Sequence, residues 1–227
     1  SEFNSRQVHK KRELMIKAII FDVDNTLIDA GEISTKAYIE TAKQLNLKHI
    51  QVKNIKKLYG IPSHLIIKKL WPKADIKKFQ QIKHKKILSK KVKQIPGAKN
   101  IIGQLYGKYK LGLLSSKTRA LMYPHLKQIS LSTRFFKFIH SADDVKFHKP
   151  NPKVFSKAVK KLKLKNVEIL YVGDSIYDFI AAKKAKLNFA AVLTGHHRKK
   201  DFQKLGLKKE NILNSINDLP RWLDKNG

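Results

Sequence analysis

Cysteine is absent from this sequence and acidic residues are scarce. With no cysteine, the chain can form no disulfide framework, no zinc–thiolate site and no cysteine nucleophile, which fits a reducing cytoplasm. No apolar run reaches the roughly 18 residues of a membrane span, and no segment near the start reads as a secretory signal. Internal repeats, low-complexity tracts and Gly/Ser linkers are also missing. Only 17 Asp and Glu stand against 49 Lys and Arg, for a net charge of +32. Such a balance can attract nucleic acid, an acidic surface or anionic substrates. It can equally be a lysine-rich background covering every solvated face, since lysines recur in most helical segments. Aromatics make up 9% and no aromatic-interleaved basic motif occurs, so nucleic acid is a possible partner but not the favoured one.

What is present suits a globular unit of one or two domains: 227 residues, 42% of them hydrophobic. Residues 1–14 read as an appended leader ahead of Met15. Short apolar runs then alternate with helical patterns, as in a parallel α/β sheet. The runs are AIIF (18–21), LGLLS (111–115), KFIHS (137–141), EILYVGD (168–174) and FAAVL (189–193). NPKVFSKAVKKLKL sets Val154, Phe155, Ala158, Val159 and Leu162 on one helical face, and DFIAAKKAKL reads as another helix. Between about Gly31 and Ile95 no strand-like run occurs. Three or four helical patterns follow one another there, and Pro96-Gly97 opens the helix that leads to the second strand. This stretch holds seventeen lysines against Glu32, Glu40 and Asp75. The fold expected is a Rossmann-like parallel sheet with helices on both faces, made of residues 15–30 and 96–227, with an all-helical insert of residues 31–95 after the first strand.

The chemistry begins at KAIIFDVDNTLID (17–29), where an apolar strand ends in Asp22 and Asp24 with Thr26 just beyond. In open parallel sheets, ligands bind outside the carboxyl ends of the strands. Strand two ends in Ser115-Ser116-Lys117, the third run is followed by FHKPNP with Lys149, and strand four ends in GDSIYD with Asp174 and Asp178. Four carboxylates at one edge would raise one another's pKa unless a cation held them. An all-oxygen ligand set without His or Cys points to magnesium. A carboxylate beside such a metal can attack phosphorus, and a second one can serve as acid and base. Lysine and hydroxyl groups can stabilise the transferring phosphoryl group.

Four motifs in order, IIFDVDNTL, LGLLSSK, KPNP and GDSIYD, make the chain resemble the haloacid dehalogenase-like hydrolase superfamily, in the group of phosphoglycolate phosphatases and β-phosphoglucomutases. The resemblance runs from about Met15 to Leu223. It implies that Asp22 is the nucleophile and Asp24 the general acid/base. Mg²⁺ would be bound by the Asp22 and Asp174 carboxylates and the Asp24 main-chain carbonyl. Ser115 would hydrogen-bond phosphoryl oxygens, Lys149 would neutralise their charge, and Asp178 would act on the metal through water or by orienting neighbours. Thr26 and Ser116 belong to the substrate-binding set. The insert sits where this group carries a cap, and in YGIPSHLIIKK (59–69) Ser63 is expected to cap a helix. Ser63 and His64, with Lys68 or Lys69, are expected to approach a small phosphorylated metabolite.

Rival readings stand beside these. Ser115 could cap a helix, Asp178 could be a helix N-cap, and Lys146 competes with Lys149. His196 and His197 read as surface loop residues, and Trp71 and Trp222 as packing residues. Asn25 stands where many members have Gly, a harmless change because Asn tolerates unusual backbone angles. The function implied is Mg²⁺-dependent hydrolysis of small phosphate monoesters through an aspartyl-phosphate. A sugar-phosphate mutase, or a basic nucleic-acid-binding protein with an incidental phosphatase site, are the alternatives.

Overall fold

A computed structural model of the chain describes residues 15–226; the leader expected over residues 1–14 lies outside the described residues. The main sheet has six strands, all parallel: β1 (Ala18–Phe21), β4 (Lys110–Leu114), β5 (Phe136–His140), β6 (Ile169–Gly173), β7 (Asn188–Val192) and β8 (Ile212–Leu213). Their spatial order is β5-β4-β1-β6-β7-β8. The chain leaves β1 to one side through β4 and β5, then returns to its other side at β6. That reversal opens a crevice beyond the carboxyl end of β1, where ligands of doubly wound sheets bind.

Alternation along the strands builds two cores. Ile19, Phe21, Leu111, Leu113, Leu170 and Val172 face one layer. Ala18, Ile20, Leu114, Ile169, Tyr171 and Phe189 face the other. Strands buried on both faces read as unbroken apolar runs, which is why they were visible in the sequence. Gly112 permits the close approach of β5: a Cβ there would meet the Phe138 ring at 2.3 Å. Helices α5 (Ala98–Leu105), α6 (Arg119–Gln128), α7 (Ser156–Leu162), α8 (Ile176–Lys184), α9 (Lys199–Lys204) and α10 (Leu219–Asn226) surround the sheet. Trp222 packs in the first core.

The helical insert carries α1 (Gly31–Gln44), α2 (Val52–Lys56), α3 (Ser63–Leu70) and α4 (Ile76–Leu88). It has its own apolar cluster around Tyr38, Ile55, Ile66, Ile67, Trp71 and Phe79. The Trp71 indole N–H donates to the Lys48 carbonyl at 2.7 Å. Where the chain enters and leaves this region, β2 (Ile28–Asp29) and β3 (Lys93–Gln94) pair antiparallel. Two-residue strands carry no periodicity, so neither this ribbon nor β8 could be read from sequence.

Candidate active site

Asp22 follows β1 directly, and its backbone N–H still donates to Val172 of β6, at 2.9 Å. The chain then folds into a tight turn, with the N–H groups of Leu27 and Ile28 both donating to the Val23 carbonyl. Asn25 takes a left-handed conformation in that turn (φ 54°), which Asn adopts at little cost. Its side-chain amide reaches Asp174 Oδ2 at 3.4 Å.

Asp22, Asp174 and Asp178 are all buried, and each offers an oxygen within 4.8 Å of the others. Lys149, 1% exposed, places its ammonium 2.8 Å from Asp22 Oδ1 and 2.6 Å from Asp178 Oδ1. Burial pushes Asp22 up to about 7; Lys149 pulls it down and Asp178 pushes it further up. Burial, with Asp22 and Asp178 adding, drives Asp174 well above the carboxylate range. Burial alone would lower Lys149, but Asp178 and Asp22 carry it above its ordinary value.

The three acids are not equivalent. Asp178 Oδ1 accepts from Lys149 and from the Tyr171 hydroxyl, at 2.9 Å. Its Oδ2 accepts the Ser175 N–H at 3.0 Å and the Ser175 hydroxyl at 2.5 Å. Ser175 Oγ in turn accepts the Asp178 N–H, which makes a capping box at the start of α8. The N-cap is thus Ser175, with Asp178 three residues in. Four donors fill the lone pairs of the Asp178 carboxylate. Asp22 and Asp174 remain under-satisfied, and three buried carboxylates face a single lysine. This donor set, all oxygen and in excess of positive charge, fits a hard divalent cation.

Ser115 closes β4, with its N–H donating to the His140 carbonyl at 2.9 Å. It caps no helix, since the N-cap of α6 is Thr118; its Oγ accepts the Lys117 N–H at 3.2 Å. Lys117 is 7% exposed and pairs with Asp24 Oδ1 at 2.7 Å. On its other side lies Nδ1 of His125, also at 2.7 Å. Burial and Lys117 depress His125 to about 4, against the pull of Asp24, so the ring is neutral and accepts from the lysine.

The insert lies over this edge. Gly60, at φ +111°, brings its carbonyl to the Ser116 hydroxyl at 2.6 Å. A Cβ at Gly60 would meet Ser175 Oγ at 2.3 Å, so glycine is required for this approach. The Tyr177 hydroxyl donates to the Lys57 carbonyl at 3.2 Å. Between insert and sheet lies a cavity of about 80 Å³ lined by Asp22, Asp24, Ser115, Ser116, Lys117 and Asp174 from below, and by Tyr38, Tyr59, Ser63 and Lys83 among others from above.

Several expected positions fall elsewhere. Thr26 is fully buried in the turn, has no partner for its hydroxyl among the described residues and does not line the cavity. Ser63 lines the cavity but caps nothing: Pro62 is the N-cap of α3, and Ser63 Oγ accepts from Tyr38 Oη at 2.9 Å and Lys83 Nζ at 2.6 Å. His64 points aside and packs edge-on against His148, with ring centroids 5.4 Å apart. Lys68 and Lys69 are exposed and off the cavity, as is Lys146. His196 and His197 are not surface residues. His197 is buried, and His196 packs on Tyr59 of the insert at 5.0 Å.

Lys83 is a cavity residue that sequence reasoning missed. It is 3% exposed, and a signal for it existed: Phe79, Lys83 and Ile87, spaced by four, are the buried positions of α4. A lysine in the middle of an apolar helical stripe marks a position where charge is wanted inside.

Residues 19–192 match the family model described as haloacid dehalogenase-like hydrolase. A pyrophosphatase PpaX from Oceanobacillus iheyensis is 30% identical over 183 residues, covering 79% of this chain and 84% of the relative. Among solved structures, a hydrolase from Pseudomonas syringae superposes with a TM-score of 0.82 at 24% identity, covering 92% of this chain and 98% of that one. CbbY from Rhodobacter sphaeroides in complex with phosphate gives 0.77 at 20% identity, covering 92% and 100%.

Proposed function

The chain belongs to the haloacid dehalogenase-like hydrolase family and is one of its phosphatases; from that premise we propose that it is a Mg²⁺-dependent hydrolase of small phosphorylated metabolites, acting through an aspartyl-phosphate. The observation that carries this reading is the convergence of Asp22, Asp24, Ser115, Asp174 and Lys149 at the carboxyl edge of β1, β4 and β6. In this reading residues 15–30 and 96–227 form the catalytic core, residues 31–95 form a cap, and the cytoplasm is the working compartment. No described helix is long and apolar enough to cross a membrane.

Magnesium would be held by the Asp22 and Asp174 carboxylates with the Asp24 main-chain carbonyl, and would supply positive charge to the phosphoryl oxygens. Asp22 attacks phosphorus with a carboxylate oxygen, and the bond to the leaving oxygen breaks. Asp24 gives that oxygen a proton. It then takes a proton from the water that cleaves the Asp22–phosphorus bond, releasing inorganic phosphate. Lys149 fixes Asp22 and balances charge on the transferring group, and Ser115 has its own hydroxyl proton free for a phosphoryl oxygen. Asp178, already saturated, positions Lys149 and α8.

Inorganic pyrophosphate, suggested by the PpaX relative, and phosphoglycolate, suggested by the group resemblance, are the first substrates to try, with p-nitrophenyl phosphate as a generic ester. Mg²⁺-dependent release of phosphate, abolished in Asp22→Asn, supports the reading. Hydrolysis unaffected by that substitution overturns it.

A further inference from the structure

Lys83 is buried and, among the described residues, has no acid paired with it. Among the described residues, the lysines that reach the cavity floor meet carboxylates: Lys149 has Asp22 and Asp178, and Lys117 has Asp24. Lys83 has only the Ser63 hydroxyl at 2.6 Å and the face of the Tyr38 ring, 4.3 Å from its centroid. A buried ammonium without a counter-charge is costly. Burial and the nearby Lys117 lower its pKa to about 7, with Asp24 opposing.

The hydrogen bonds around it run in one direction. Ser63 Oγ accepts two of them, from Tyr38 and from Lys83. Its acceptor capacity is then used, and its own proton remains to be donated. Lys83 keeps two further N–H bonds. What this corner of the cavity lacks is an acceptor, and the best acceptor for an ammonium and a hydroxyl together is an anion. Ile61, Ile66, Ile87 and Leu121 add apolar wall around this corner, beside polar His84 and Thr118.

We propose that Lys83 and Ser63 form a subsite for a second anionic group on the leaving side of the substrate, so that this enzyme selects small phosphate compounds whose leaving group itself carries a phosphoryl or carboxylate charge. This rests on the phosphatase reading of the floor of the same cavity. The floor handles the transferred phosphoryl group, which all such substrates share. The Lys83 corner reads what is attached to it.

The test compares kcat/KM for inorganic pyrophosphate, phosphoglycolate and p-nitrophenyl phosphate, with Mg²⁺, in wild type, Lys83→Met and Ser63→Ala. A hydrogen bond to a charged group contributes about 1.5–3 kcal/mol. Lys83→Met should therefore lower kcat/KM for at least one anionic substrate about 10- to 100-fold relative to p-nitrophenyl phosphate, mainly through KM. Ser63→Ala should act in the same direction but less. The substrate that falls further tells whether phosphoryl or carboxylate is the anion read. Met fills the lysine's volume and removes the uncompensated charge, so the melting temperature should hold or rise. Should Lys83→Met fail to fold, the lysine is structural and the proposal falls unless Ser63→Ala alone shows the selective loss. Equal losses on all three substrates in both variants overturn the subsite and leave the phosphatase reading standing. A wild-type enzyme that hydrolyses none of the three overturns the phosphatase reading itself.

Discussion

The floor and the roof of the cavity solve opposite electrostatic problems. On the floor, Asp22, Asp174 and Asp178 crowd around one lysine, and the surplus is negative. In the roof, Lys83 stands without a paired acid among the described residues, and the surplus is positive. A floor of that kind calls for a cation, and a roof of that kind calls for an anion. Both are met at once by a metal-bound phosphate compound with charge at each end. The two regions also differ in how they are built. Asp22, Ser115 and Asp174 directly follow strand ends, while Lys149 comes from the loop beyond β5 and Asp178 from the first turn of α8. Roof residues project from helices of an insert held to the sheet by a two-residue ribbon and a few contacts such as Gly60 to Ser116.

Removing the proposed nucleophile should break the floor most completely. Asp22→Asn keeps the shape but cannot form the acyl phosphate, and kcat should drop on the order of 10⁴-fold or more, as in other enzymes that lose a covalent nucleophile. Steady-state phosphate release measures this, and circular dichroism checks that the fold is retained. Next in size, Asp174→Ala should cost at least about 100-fold and raise the Mg²⁺ concentration needed for half-maximal rate. Chelation with EDTA should remove wild-type activity, and adding Mg²⁺ back should restore it. Full activity after exhaustive chelation would show that the negative surplus of the floor serves another purpose.

The same contrast explains what could be read from the sequence. Asp22, Asp24, Ser115, Lys149 and Asp174 were found because each closes or follows an apolar run, and a parallel sheet gathers those ends at one edge. Five of the six sheet strands were visible for the same reason. What sequence could not give were contacts made across the fold. Asp178 gave no sign that four donors would saturate it, because Tyr171 and Lys149 come to it from other segments. Lys117 stood in the Ser115-Ser116-Lys117 triplet, yet its link to Asp24 and His125 needed three segments to be packed together. In the insert, the break at Gly60-Ile61-Pro62 pointed to a loop that lines the cavity. Which neighbour faced inward depended on the helix phase: Ser63 turns to the cavity and His64 turns to His148.

That difference of one residue sharpens the roof. His64→Ala should change kcat/KM for any of the three substrates less than about 2-fold, because the ring lies off the cavity. Ser63→Ala, one position away, should shift the ranking among them. Equal effects of the two substitutions would mean that the loop acts through its backbone or through closure, and not through the Ser63 hydroxyl.

The smallest expected effect is on stability, and it isolates the charge of Lys83 from catalysis. In the folded, ligand-free chain burial lowers Lys83 to about 7, whereas in the unfolded chain a lysine titrates near 10.4. Between those two values the unfolded state binds more protons, so stability rises with pH. The contribution is fully present only above the unfolded value and is lost as pH falls through about 7. Asp22 works in a separate window. Its folded value is raised to about 7 from an ordinary 3.8, so its ionisation weakens the fold as pH rises from about 4 to 7 and adds nothing above that. The +32 charge also relaxes as other lysines titrate, so the slope in wild type alone decides nothing. The informative quantity is the difference between wild type and Lys83→Met in melting temperature from pH 7 to 9.5, without Mg²⁺ or phosphate. The variant should be the more stable at pH 7, and the gap should narrow steadily toward pH 9.5. Pyrophosphate, supplied with Mg²⁺ to an Asp22→Asn background, should narrow it at pH 7 as well, because an anion beside Lys83 restores the charged form at low cost. A gap that ignores both pH and pyrophosphate would show that Lys83 finds its counter-charge within the protein, and the contrast between floor and roof would be lost.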